Sequence, residues 1–163
     1  MTSDSHDAGV APAPVAIVHC ADYDPARVRE AVARGLALLG GAERFVQPDE
    51  TILLKPNLLA GTAPEKAVTT HPAVFEAVAR ELQAAGAMLT YGDSPGFGRP
   101  ESVARRAKLT GLAETLGITL ADFSEGRLVS FDGGYLIKQF TLANGALDVD
   151  GIVSLPKLKT HAL

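Results

Sequence analysis

The sequence predicts an α/β fold, a mostly parallel, doubly wound sheet with an inserted or edge β-hairpin. Two observations carry that expectation. Short apolar runs with β-branched residues alternate along the chain with longer segments whose apolar residues recur at helical spacing. In addition, Asp132-Gly133-Gly134 separates two strand-like runs, 128–131 and 135–142, which is a hairpin signal.

The elements follow in order. Residues 1–14, rich in Ser, Asp, Ala and Pro, read as a disordered leader and leave 15–163 as the α/β domain. Val15-Ala16-Ile17-Val18-His19 predicts a first strand. Asp24 is placed to cap a helix with Pro25 at its first position, and Val28, Val32, Leu36 and Leu39 mark its apolar face. Gly40-Gly41 ends it. Thr51 to Leu54 is a second strand closed by Lys55-Pro56-Asn57, and a loop runs on to Thr70. From Pro72, the spacing of Val74, Phe75, Val78 and Leu82 predicts a helix stopped by Gly86. Ala87 to Tyr91 is a third strand, broken by Gly92-Asp93-Ser94-Pro95-Gly96. A third helix is expected over 100–116, with Arg99, Arg105, Arg106 and Lys108 on its solvated face and Glu101 paired with Arg105. A fourth strand at 118–121, the hairpin, and a last strand at 151–155 complete the reading.

Composition bounds the function. A net charge of −4 argues against generic nucleic-acid binding, which wants a basic face. Nothing approaches the roughly twenty apolar residues that span a bilayer, and the N-terminus lacks the pattern of a secretory signal. The single cysteine, Cys20, excludes a disulfide framework and any CxxC motif within these residues, so a reducing cytoplasm is the expected location.

Four polar motifs fall at strand ends or helix starts, where open α/β sheets place their binding sites. Lys55-Pro56-Asn57 offers an ammonium and an amide to an anionic group; the plainer reading is a snorkelling lysine beside a strand-ending proline. Thr69-Thr70-His71-Pro72 sets two hydroxyls and an imidazole at a helix N-terminus, which favours anions, or it simply caps the helix. Gly92-Asp93-Ser94-Pro95-Gly96 brings a carboxylate and a hydroxyl to a glycine-rich bend, or is an ordinary tight turn. It is neither a dinucleotide fingerprint nor a P-loop. Finally, Pro156-Lys157-Leu158-Lys159-Thr160-His161 comes directly off an apolar strand. The two-residue period turns Lys157 and Lys159 the same way. A solvated basic terminus is the alternative.

Leu53-Leu54-Lys55-Pro56-Asn57, Thr70-His71-Pro72, Gly92-Asp93-Ser94 and Leu155-Pro156-Lys157-Leu158-Lys159-Thr160-His161, in this order, resemble the domain of unknown function 362 family. Its bacterial and archaeal members are often described as iron–sulfur cluster-binding. The resemblance runs from Val15 to Leu163 and implies a longer protein, continuing through a segment like Met-Thr-Gly-Ala-Leu-Lys-Asn and in some members a cysteine-rich, ferredoxin-like module. The chain is therefore expected to be the N-terminal part of a longer domain, with any cluster in a missing or separate module.

The leading functional expectation is a site for a small anionic substrate. Lys55, Asn57, Thr70, Ser94, Lys157, Lys159 and His161 would bind it, and Asp93 and His71 would serve as catalytic acid or base. A redox link in the full-length protein fits the family. Two alternatives stay open. One is a metal-binding domain using His71, Asp93 and His161, disfavoured by the nearby lysines. The other is a non-catalytic fragment that needs its C-terminal half or a redox partner, and that exposes apolar surface when alone.

Overall fold

The computed structural model describes residues 13–160; most of the expected leader and His161 lie outside the described residues. In chain order the elements are α1 (Pro25–Leu38), β1 (Thr51–Pro56), α2 (Pro72–Ala84), β2 (Met88–Tyr91), α3 (Pro100–Arg106), α4 (Thr110–Thr115), β3 (Thr119–Leu120), β4 (Gly126–Ser130), β5 (Gln139–Ala143), α5 (Asn144–Leu147) and β6 (Gly151–Leu155). The main sheet is parallel throughout, in the order β3-β2-β1-β6. The antiparallel pair β4-β5 forms its own small sheet, inserted between β3 and β6.

The chain steps from β1 to β2 to β3 in one direction. Right-handed crossovers in one direction put their helices on the same face. Accordingly Ile52 and Leu54 of β1 and Leu89 and Tyr91 of β2, alternate residues sharing one face, join Phe75 of α2, Val103 of α3 and Ala113 of α4 in one core. The Phe75 ring meets Tyr91 edge-on at 5.6 Å. Beyond it α1 packs on α2 through Val28, Val32, Ala73, Val74 and Ala77. After β3 the chain returns to the other side of β1 to lay down β6. Strand order therefore reverses between β1 and β6, the topological switch point of this sheet.

Both long helices begin and end as their sequences predict. The Asp24 carboxylate accepts from the N–H groups of Ala26 and Arg27, each at 3.1 Å, with Pro25 behind it. Gly40, Gly86 and Gly117 take positive φ at the helix ends.

Three expectations are corrected. Val15 to His19 is not a strand; it has no regular structure, and Val15 and Ile17 are exposed. β-branched residues suit a pleated surface but need a partner strand, and none pairs with them among the described residues. The helix expected over 100–116 is two. Lys108 adopts φ 58°, and the N–H groups of Leu109 and Lys108 bond the carbonyls of Ala104 and Arg105, each at 3.0 Å. That is a Schellman ending with lysine where glycine is usual, so no glycine announced it. Lys108 then pairs with Glu65 at 3.0 Å, whereas the expected Glu101–Arg105 ion pair is absent among the described residues. Lastly, the hairpin turn is wider than Asp132-Gly133-Gly134: residues 131–138 form the loop, leaving Tyr135, Leu136 and Ile137 exposed outside β5. Gly134 packs so closely on Ile137 that a Cβ would lie 2.1 Å from its carbonyl oxygen, and this folds the loop on itself.

Candidate functional site

Parallel strands bring their carboxyl ends to one edge of the sheet. Here that edge collects Lys55-Pro56-Asn57 from β1, Gly92-Asp93-Ser94 from β2 and the 156–160 segment from β6. Thr69-Thr70-His71 joins them, because the loop after β1 returns to the same edge to start α2.

Between β1 and β2, Lys55 Nζ donates to Asp93 Oδ1 at 2.5 Å, and the backbone N–H of buried Leu58 donates to Asp93 Oδ2 at 2.9 Å. Both carboxylate oxygens are engaged in a buried setting, while the Lys55 side chain stays 41% exposed. Gly92, next to Asp93, makes room for Phe123, since a Cβ there would come within 2.5 Å of its ring. Ser94 is exposed beside Asp93.

At the switch point, the Thr70 hydroxyl donates to the Leu155 carbonyl and accepts from the Asn57 N–H at 2.9 Å. The Thr70 N–H donates back to the Asn57 carbonyl at 3.2 Å. One buried side chain thus ties the end of β1 to the end of β6 and to the entry of α2. Asn57 Nδ2 donates to the Val68 carbonyl at 3.0 Å, and Lys159 Nζ donates to the same carbonyl at 3.3 Å.

His71, not a threonine, caps α2. Its Nδ1 accepts from the Ala73 N–H at 3.2 Å, its carbonyl takes the N–H groups of Val74 and Phe75, and Pro72 has none to give. The first turn of α2 therefore offers no free N–H to an anion, and the charged groups of this edge come from side chains. Because Nδ1 accepts, the imidazole is neutral with its proton on Nε2. Its ring stacks on Tyr23 at 4.0 Å and 15°. Tyr23 also receives Lys157: Nζ donates to the hydroxyl at 2.7 Å and lies 5.1 Å from the ring centroid.

Burial, and after it the Lys157 charge, hold the His71 pKa below its ordinary 6.5, with Glu65 opposing. A lowered histidine pKa costs the fold protonation energy in acid. Stability is complete above pH 6.5 and falls as pH drops through the folded value. The expected result is an unfolding free energy that declines below that pH in the parent protein. His71→Asn, which retains a capping side chain, flattens this part of the profile. His71→Ala lowers stability by about 1 kcal/mol at neutral pH through loss of the cap. Urea melts from about pH 5 to about pH 8 measure both; parallel profiles for parent and His71→Asn would contradict the assignment.

Lys55, Asn57, Thr70, His71, Asp93, Lys157 and Lys159 thus share one edge of the sheet, with exposed Ser94 beside Asp93. Lys157 and Lys159 bind different partners. His161 lies outside the described residues, and no cluster of metal-ligating side chains occurs among the described ones. Of the proposed metal set, His71 Nδ1 is taken by the cap and Asp93 by Lys55. The residue that sequence reasoning missed is Tyr23. Its one signal is position, just before the Asp24-Pro25 helix start, and only the packing of α1 on α2 carries it to His71.

Comparison with known proteins gives three findings. The model of the family described as Domain of unknown function (DUF362) matches residues 52–163. The thylakoid-associated protein sll1697 of Synechocystis sp. is 35% identical over 148 residues, 91% of this chain and 46% of that protein, so the chain spans about half the length of this curated relative. No solved structure matches the chain.

Proposed function

The chain belongs to the DUF362 family, and from that premise we propose that it binds a small anionic substrate at the carboxyl edge of its sheet, over the β1–β6 switch point. One observation carries the reading. The ammonium groups of Lys157 and Lys159 are held there by neutral oxygens, the Tyr23 hydroxyl and the Val68 carbonyl, with no carboxylate within 4.0 Å among the described residues. Lys55, by contrast, is matched by Asp93.

An anion between the two tail lysines supplies the missing counter-charge. Asn57 and Thr70 shape the floor, with Ser94 and Lys55 flanking. Asp93 has both oxygens committed and acts by holding Lys55 in place. His71, neutral and carrying its proton on Nε2, is the group suited to donate a hydrogen bond to the ligand.

A redox link in the longer protein belongs to the same reading. An iron–sulfur cluster does not fit this chain, since clusters take about four cysteine ligands and Cys20 is its one cysteine. Electrons would come from a separate module or partner. A cytoplasmic location is part of the reading too, supported by that single free thiol. Among the described residues no helix is long and apolar enough to cross a membrane.

Inorganic phosphate tests the reading. Binding stabilises the fold by about 2.7 kcal/mol at a hundred times Kd, read as a rise in melting temperature. The expected result is a phosphate-dependent rise that Lys157→Gln/Lys159→Gln weakens at least tenfold, with Lys108→Gln, whose partner is Glu65, as an unaffected control. No rise with phosphate, or an equal rise in the double variant, overturns it.

A further inference from the structure

Tyr23 belongs to two places at once. Its hydroxyl accepts from Lys157, and its ring helps line a cavity of about 430 Å³ between the 18–23 segment, α1 and the start of α2. Val18, Val28, Ala31, Val32 and Val74 supply the apolar walls. Tyr23, which lines the cavity, is also the residue whose ring stacks on His71, so the cavity and the edge site meet at this one side chain. The acid at its rim, Asp22, is already paired with Arg27 at 2.9 Å and leaves little negative charge to repel an anion. The volume falls in the range of small-molecule sites, which are apolar with a few placed polar groups.

We infer that the ligand of this edge is an organic anion, its charged end at Lys157 and Lys159 and its apolar body in the Val28–Ala31–Val32–Val74 cavity, with Tyr23 as the wall between. The inference rests on the anion-site reading above and adds the class of molecule. Lys157 can serve both groups, because an ammonium has three donors and Tyr23 takes one. A bare inorganic anion leaves the cavity to water, whereas an aryl or branched alkyl group fills it and removes apolar wall from solvent. Discrimination would then come from the cavity, and charge recognition from the tail.

Titrating the protein with inorganic phosphate and with phenyl phosphate tests this. Phenyl phosphate is expected to bind at least tenfold more tightly. It should shift the methyl NMR signals of Val28, Val32 and Val74, which phosphate leaves in place. Ala31→Phe, or Ala31→Leu should the larger ring disturb folding, fills the cavity from α1; either removes the tenfold advantage and keeps phosphate affinity within twofold. Equal affinity for the two probes, unmoved valine methyls, or an advantage that survives both substitutions overturns the inference while leaving the anion site standing. Phenyl phosphate binding that Ala31→Phe abolishes but Lys157→Gln/Lys159→Gln does not would keep the cavity and remove the anion site. Binding of neither probe removes both.

Discussion

Asp93→Ala is expected to lower the unfolding free energy by about 3 kcal/mol, the largest effect of any single change at this edge. The buried carboxylate meets two partners: Lys55 Nζ at 2.5 Å and the Leu58 N–H at 2.9 Å. Leu58 has no exposed surface, so its N–H cannot turn to water when the carboxylate is gone. Leaving a buried donor unpaired costs about 1–3 kcal/mol. Breaking a fully buried ion pair costs about 3–5 kcal/mol, and that figure is discounted here because the Lys55 side chain is 41% exposed and regains hydration. Asp93→Asn separates the two contributions. Its amide oxygen still accepts from Leu58 while the charge is lost, and the expected cost falls to about 1–2 kcal/mol. Urea melts of the two variants, with Lys55→Met for the partner, read the difference. Equal costs for Asp93→Ala and Asp93→Asn would mean that the Leu58 contact contributes nothing, and a cost under about 0.5 kcal/mol for both would remove the pair from the fold's support.

Thr70→Val is expected to cost about 2 kcal/mol and Thr70→Ser well under 1. Valine keeps the branched shape but deletes a hydroxyl that gives one hydrogen bond to the Leu155 carbonyl and takes another from the Asn57 N–H. Each net hydrogen bond is worth about 1 kcal/mol. The backbone contact from Asn57 to Leu155 at 3.3 Å recovers part of the loss. Serine retains both bonds. Because the lost bonds join the ends of β1 and β6, Thr70→Val should also raise hydrogen exchange at Asn57 and along β6 more than in β2. Uniform exchange across the sheet would show that the hydroxyl supports the fold generally instead of tying these two strands.

Both residues sit in motifs that were visible in the sequence, yet their roles were not. The Thr69-Thr70-His71-Pro72 run was legible as a helix start with spare polar groups. Which of three residues caps the helix depends on where each side chain points once α2 is docked, and docking gives the cap to His71 and frees Thr70 to reach Leu155, 85 residues on, and so join β1 to β6. Gly92-Asp93-Ser94 was legible as a strand-end bend with a carboxylate. That the carboxylate is matched by Lys55, 38 residues earlier, follows from β1 and β2 being neighbours, which no local pattern states. Lys108 is the opposite case: a lysine in a glycine's conformation, held by the burial of Leu109 and Ala104 on either side of the break.

By itself the sequence determined the α/β class, the starts and ends of α1 and α2, the four strands of the parallel sheet to within a residue or two, and the four motifs that meet at its edge. These depend on local periods, caps and turn residues, whose physics acts over a few positions. Tertiary structure alone decided that β6 returns beside β1, that Val15 to His19 stays unpaired, that the 100–116 region breaks at Lys108, and that Tyr23 joins His71 and Lys157. Each of those depends on which distant surface is available to bury or to pair, a free energy shared between segments and carried by neither sequence alone.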